Sequence, residues 1–408
     1  MNSLSSTTKG RTLGVRLKQA AVIVNGGIAL FAGINLYRGN EKFYEEIAMP
    51  LFRALPPETS HKLSIKLAKY KLVPKSQVPD SPLLATTVWG RSFSNPIGMA
   101  AGYDKHAEAV DGLFKMGFGF VEIGSVTPEP QEGNPKPRVF RLSEDEAIIN
   151  RYGFNSDGHD VVYTRLSKRS HEAETSTGRG IVGVNLGKNK TSPNAIEDYV
   201  KGVRKFGEVA DYLVVNISSP NTPGLREMQR QEELTDLLDK VVEARDNLPV
   251  SPKPPLLVKI APDLTDDEKK AIAAVVTRPK CKVDGLIISN TTVARPESLK
   301  GNHKEEIGGL SGKPLREKSL ETIGDMYRLT KGQIPIIGVG GVGSGRDAYE
   351  KVKAGASLIQ LYTALVYQGP PVIGKIKKEM EELLRLDGYQ HLSEAVGADF
   401  KKETKTKS

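Results

Sequence analysis

Residues 213–222 read Leu-Val-Val-Asn-Ile-Ser-Ser-Pro-Asn-Thr. An apolar, β-branched run of this kind is what a strand buried on both faces requires. Amides, hydroxyls and a proline follow at once, where the strand would leave the core. Asn216 and Asn221 offer donors and acceptors to a planar polar ligand, Ser219 offers a hydroxyl between them, and Pro220 ends the ladder.

Working outward, the same layout recurs. Apolar runs stand at 95–102, 120–127, 180–187, 211–219, 255–261, 284–292, 335–342 and 356–365. Most are separated by segments of helical character, at 105–116, 194–206, 231–247, 265–276, 316–329 and 345–354. Thr265 followed by Asp266 and Asp267 suits a helix start, and Gly355 a helix stop. Strand–helix alternation implies parallel strands with right-handed crossovers. Eight such units match an α/β fold of the (β/α)8 TIM-barrel type. A doubly wound open sheet competes, but no G-x-G-x-x-G turn with a following acid is found after the first strand.

Three regions depart from the repeat. Residues 128–160 interrupt it after the second strand, with RVFRL and AIINRYGF separated by Ser-Glu-Asp-Glu, which predicts a β-hairpin over the barrel mouth. Residues 41–75 predict a small helical lid, with Pro50, Pro56 and Pro57 breaking it into two helices. Phe43, Tyr44, Ile47 and Ala48 fall at helical spacing there, and the pair could rest on a bilayer surface. Residues 20–37 carry no charge and span roughly 27 Å as a helix, close to a bilayer core. Lys18, Arg38 and Tyr37 flank this expected single transmembrane anchor. Residues 1–19 are basic, rich in Ser and Thr and free of acid, as in a mitochondrial targeting segment. The expected division is therefore targeting segment 1–19, anchor 20–37, lid 41–75, barrel 76–397 and a basic disordered tail 398–408.

The net charge of +9 invites a nucleic-acid partner. Its distribution argues otherwise. Residues 1–40 contain five basic side chains and no acid, and residues 401–408 four lysines and one glutamate, which leaves the body near neutrality. The single cysteine, Cys281, excludes a disulfide framework and thiolate-rich zinc sites.

In a barrel of this type the chemistry lies at the strand ends. Those ends supply Lys105 after the first strand, Ser125 after the second, Asn185 after the third, Lys259 on the fifth and Asn290 and Thr291 after the sixth. Gly340 and Gly341 follow the seventh strand, with Gly308, Gly309 and Gly312 upstream and Thr363 after the eighth. Glycines there let backbone N–H groups close on a phosphate, although a tight turn alone would also need them. Lysines beside many amides and few acids suit a planar, carbonyl-rich anion; they would also suit Schiff-base chemistry. Asp104, Asp263 and Glu122 are too dispersed for a metal site, and His61 and His106 have no nucleophile-elbow partner.

The motifs AAGYDKH, EIGSVTPEPQEGNPKPR, NRYGFNS, GVNLGKNK, VVNISSPNT, LVKIAPDL, SNTT, GGLSGKPL, IIGVGGV and QLYTAL lie in one register from residue 100 to residue 365. With them the chain resembles class 2 dihydroorotate dehydrogenase, the mitochondrial, quinone-dependent type, over residues 41–397. The resemblance implies oxidation of dihydroorotate to orotate with FMN and ubiquinone, in pyrimidine synthesis, at the inner mitochondrial membrane. It implies Ser219 as the base that takes a proton from ring carbon 5, with Thr222 and a water beside Phe154 as its relay. It places Lys105, Asn150, Arg151, Tyr152, Gly153, Phe154, Asn216, Asn221, Asn290 and Thr291 around orotate. Ala100, Ala101, Gly102, Ser125, Asn185, Asn216, Lys259, Ser289, Gly312, Gly341, Tyr362 and Thr363 would hold FMN. His61 and Arg141 correspond to polar groups at the inner end of a quinone tunnel in the lid, and the family usually has Gln near Arg53. Soluble relatives carry cysteine where this chain has Ser219. No metal, nucleic acid or obligate protein partner is implied. A flavoenzyme acting on tRNA uridine and a non-catalytic membrane-tethered binding protein are the alternatives.

Overall fold

A computed structural model describes residues 6–174 and 180–405. Its strands are β1 (Thr86–Val88), β2 (Arg91–Phe93), β3 (Ile97–Met99), β4 (Phe120–Val126), β5 (Val139–Leu142), β6 (Ala147–Asn150), β7 (Ile181–Leu186), β8 (Tyr212–Asn216), β9 (Leu256–Ile260), β10 (Gly285–Ile288), β11 (Gly309–Gly312), β12 (Ile336–Val339) and β13 (Ala356–Leu361). The parallel strands β3, β4, β7, β8, β9, β10, β12 and β13 close into a barrel, and each lies within one of the apolar runs.

Alternation, hidden in the continuous apolar runs, is what places the site. Along β8, Tyr212 and Val214 enter the cluster inside the barrel, while Leu213 and Val215 pack under the helices. The inward series on β8 therefore ends on Asn216, and the register sets Asn216 beside Lys259 of β9. Phe120 with Glu122, and Leu358 with Gln360, repeat the step from an apolar floor to a polar upper layer. Gly183 makes room for that floor: a Cβ there would fall 2.0 Å from the Tyr212 ring. The β1–β2 hairpin closes the bottom, with Phe93 edge-on to Phe120 at 5.5 Å and Trp89 against Tyr212 at 5.9 Å.

The excursion over the mouth is the expected hairpin, β5 with β6, and it gains a third strand. Gly309–Gly312, expected among phosphate-binding glycines, forms β11 and pairs antiparallel with β6. Sequence-distant pairing of this kind leaves no local signal. The helices His159–Glu174, Thr363–Gln368 and Val372–Leu386 also lie outside the expected segments.

At the N-terminus one helix runs from Ser6 to Arg38 without a break at the expected 19/20 boundary; residues 1–5 lie outside the described residues. Leu13–Arg38 is long and apolar enough to cross a membrane, about 39 Å at ~1.5 Å per residue. The Asn25 and Asn35 amides each donate to the carbonyl four residues back, at 2.8 Å, which offsets part of their cost in lipid. The lid follows. Pro50 does not break it: a wide π turn, Tyr44–Ala48, precedes the proline, gives its ring room and carries the helix on to Ala54. The break comes at Leu55–Pro56, before the helix Pro57–Lys69. At the other end, the expected disordered tail begins as a helix, Ala398–Lys405. Phe400 stacks on Tyr327 with ring centroids 5.9 Å apart. Residues 406–408 lie outside the described residues.

Candidate active site

The upper layer of the barrel is a buried polar network centred on Glu122, which is fully shielded from solvent. Its carboxylate accepts from Asn185 Nδ2 at 2.8 Å and from Gln360 Nε2 at 2.7 Å. Lys259 Nζ lies 4.0 Å from the same carboxylate. Burial pulls the Lys259 ammonium below its ordinary pKa, and Glu122 opposes that pull. Asn185 in turn meets the Ser125 hydroxyl, and Asn216 Nδ2 donates to Ser125 Oγ at 2.9 Å and to Asn185 Oδ1 at 3.1 Å. Glu122, dismissed on spacing, is the acid that the lysine-rich reading lacked. Five strands contribute to this layer, so no local motif could reveal it.

Above this layer the amides converge. Asn290 Nδ2 donates to Ser218 Oγ at 3.0 Å and to Asn216 Oδ1 at 3.3 Å. Asn221 Nδ2 donates to the Asn150 carbonyl at 3.1 Å. Ser219 is nearly buried, and its hydroxyl accepts the Asn221 N–H at 3.3 Å. The Thr222 hydroxyl is buried and has no hydrogen-bond partner among the described residues. Phe154 sits at a positive φ of 55° and lines the same space. Lys105 Nζ is held by neutral groups, Asn155 Oδ1 at 2.6 Å and the face of Tyr152 at 3.1 Å from the ring centroid. Burial, reinforced by repulsion from Arg138, lowers its pKa well below the ordinary lysine value. An anion arriving beside it would satisfy a cation already stripped of water.

A second wall brings a glycine turn to a helix N-terminus. Gly340 to Ser344 line the cavity directly ahead of the helix Gly345–Lys353, whose N-terminal pole favours negative charge. Gly341 has φ +68°, and a Cβ there would fall 2.5 Å from Arg316 Cα. Across from it, the Ser311 and Thr363 hydroxyls meet at 2.9 Å.

The lid roofs the mouth. Arg138 pairs with Glu58 at 2.8 Å, and Arg141 Nη1 donates to the Arg53 and Leu55 carbonyls, both at 2.8 Å. Arg53 Nη1 donates to the Tyr367 carbonyl at 3.1 Å. His61 Nδ1 and the Tyr362 hydroxyl lie 3.2 Å apart, and burial brings the imidazole pKa down to about 3, so it is neutral at physiological pH. One cavity of about 940 Å³ runs from Leu36, Tyr44, Met49 and Phe52 of the helical region, past His61 and Arg141, to Lys259 in the upper layer of the barrel.

Most of the expected residues meet in this cavity. Lys105, Asn150, Tyr152, Gly153, Phe154, Asn216, Ser219, Asn221, Asn290 and Thr291 line it. So do Ala100, Ala101, Gly102, Ser125, Lys259, Ser289, Gly312, Gly341, Tyr362 and Thr363. Asn185 and Thr222 are buried and do not line it. Arg151 is a correction: its guanidinium turns away to Glu306 at 2.6 Å and to the Ile307 and Pro137 carbonyls. Asn150 and Tyr152 alternate inward, so the residue between them faces out. Glu122, Gln360, Tyr212, Asn155 and Ser218 were missed. Ser218 stands next to the singled-out Ser219 and could have been read from the same motif.

The family described as dihydroorotate dehydrogenase matches residues 83–384. A mouse relative, "Dihydroorotate dehydrogenase (quinone), mitochondrial", is 55% identical over 96% of this chain and 99% of its own length. A Rhodospirillum rubrum relative, "Dihydroorotate dehydrogenase (quinone)", is 49% identical over 87% of this chain and 94% of its own. The crystal structure of DHODH from Eimeria tenella, in complex with ferulenol, superposes with a TM-score of 0.81. It is 44% identical, over 84% of this chain and 95% of that one. Sequence, barrel and N-terminal apolar helix agree: the chain belongs to the dihydroorotate dehydrogenase family, in its quinone-dependent, mitochondrial class.

Proposed function

We propose that this enzyme oxidises dihydroorotate to orotate at the barrel mouth on FMN, and that ubiquinone from the inner mitochondrial membrane collects the electrons through the lid, in de novo pyrimidine synthesis. The observation that carries the reading is Lys105. It is a buried ammonium held, among the described residues, by an amide oxygen and a ring face, and it lines one cavity with Asn150, Asn216, Asn221 and Asn290. A carboxylate on a ring bearing carbonyl and N–H groups complements that set.

The residues present fit a flavin mononucleotide. Lys259, desolvated and facing the cavity, would meet the ring edge that gains negative charge, and the turn Gly340–Ser344 would take the phosphate. Bound there, FMN supplies the two-electron acceptor that no side chain provides. The chain's own task is the proton. Ser219 takes it from ring carbon 5, while Asn216 and Asn290 fix the ring plane through the Ser218 network. A serine hydroxyl is a weak base and must pass its own proton on. The Thr222 hydroxyl, without a partner among the described residues, is suited to that transfer, with a water beside Phe154. Neutral His61, bonded to Tyr362, offers a hydrogen bond to a quinone carbonyl without adding charge to an apolar passage. Arg141 is occupied with the lid backbone and holds that passage in shape.

The purified protein should be yellow, with FMN released on denaturation, and dihydroorotate added without oxygen should bleach it. A folded preparation that takes up no FMN would refute the reading. The helix Leu13–Arg38 is the membrane anchor in this scheme. Removing residues 1–40 should give a protein that leaves the membrane fraction and still bleaches.

A further inference from the structure

Arg226 is a charged side chain for which the chemistry above has no use. It opens the short turn Arg226–Gln229 after the Ser219 loop, and it does not line the cavity. Its guanidinium spans three loops. Nε donates to the Ser218 carbonyl at 3.2 Å, Nη2 to the Thr291 carbonyl at 2.9 Å and Nη1 to Asp263 at 2.9 Å. These partners follow β8, β10 and β9 respectively. Asp263 is itself fixed by the Thr292 hydroxyl, by the Val293 N–H at 3.0 Å and by Lys318 at 2.9 Å.

The two carbonyls are the informative partners. Ser218 immediately precedes the proton acceptor, and Thr291 immediately follows the ring-clamping amide Asn290. We propose that Arg226 is a positioning residue that sets the spacing between Ser219 and the Asn290–Thr291 clamp, and so the approach of the hydroxyl to the substrate ring. The role requires a planar fork with several donors, which arginine has and lysine lacks. Without it, two backbone carbonyls lose their charged donor, and the serine loop is left to the single Asn290–Ser218 hydroxyl bond and to the contacts of Asn221 with the excursion. A displacement of about 1 Å at a reacting group can cost ~10²-fold in rate.

The proposal rests on Ser219 being the proton acceptor, and the test separates the two. In the FMN-loaded full-length enzyme, Arg226→Ala should slow anaerobic flavin reduction by dihydroorotate ~10²-fold. Reoxidation by a ubiquinone analogue and FMN content should stay as in the unaltered protein. Arg226→Lys should remain slow, and millimolar guanidinium should restore part of the Arg226→Ala rate. Reduction at the unaltered rate, or equal slowing of both half-reactions, would overturn the positioning role. Ser219→Ala is the control. If it is slow while Arg226→Ala is fast, only the Arg226 role falls; if it reduces at full rate, the reading of Ser219 falls and takes this role with it.

Discussion

The polar upper layer of the barrel and the lid solve opposite problems. In that layer, Glu122, Asn185, Asn216, Lys259 and Gln360 come from five strands and are buried; hydrogen bonds join Glu122 to Asn185 and Gln360 and Asn185 to Asn216, and Lys259 lies 4.0 Å from Glu122. Each position is dictated by the β register, so the network cannot shift without opening the barrel. The lid is tied down differently. Arg141 grips two lid carbonyls, Arg138 pairs with Glu58, and the face turned to the cavity is mostly apolar. Attachments through side chains to helix ends can loosen while the barrel stays folded. Proton and electron transfer need the first arrangement, and passage of a lipophilic acceptor needs the second.

Variants should therefore separate the two regions. The largest effect is expected at Ser219. Ser219→Ala should reduce the rate of flavin reduction by dihydroorotate ~10²–10⁴-fold and leave reoxidation by quinone unchanged. Stopped-flow absorbance reads both, and slowing of both would erase the contrast.

Lys105 comes next. Lys105→Met should weaken orotate by about 2–5 kcal/mol, because an ionised ligand group would lose its buried partner. The free enzyme's Lys105 pKa is depressed, and only its cationic form attracts the carboxylate. Orotate affinity should thus fall as pH rises through that lowered value, and the dependence should vanish in Lys105→Met. Titration of the flavin spectrum with orotate across pH checks this; a flat profile in the unaltered protein would remove Lys105 from the clamp.

In the lid, Arg141→Ala loses charged donors to the Arg53 and Leu55 carbonyls and to Ser60. The expected cost is about 1.5–3 kcal/mol, felt as weaker use of quinone with normal reduction by dihydroorotate. Steady-state kinetics at varied quinone, beside single-turnover reduction, would show it. The smallest effect is expected far from both regions. Phe400→Ala should lower stability by about 0.5–1.5 kcal/mol through loss of stacking on Tyr327, and no half-reaction should change. A melting curve identical to that of the unaltered protein would restore the free tail expected from composition.

The strands were legible because burial on both faces forces unbroken apolar runs, and the polar residues that line the cavity because they stand where those runs end. The same continuity hid which residues face inward, so Glu122 and Gln360 could not be joined to Lys259. Gly309–Gly312 pairs with a strand some 160 residues away, a contact with no local trace. Arg151 was misplaced because its neighbours Asn150 and Tyr152 do face the cavity. Pro50 read as a break because proline usually is one, and only the wide turn before it shows how the chain passes.

The most direct test of the division between barrel layer and lid is to fill the apolar branch alone. Leu67, on the lid helix Pro57–Lys69, lines the cavity. With Leu67→Trp, bleaching by dihydroorotate should keep its rate while recovery of colour on adding a ubiquinone analogue slows. Equal slowing of both steps, or recovery untouched by the bulky side chain, would contradict a quinone route through the lid.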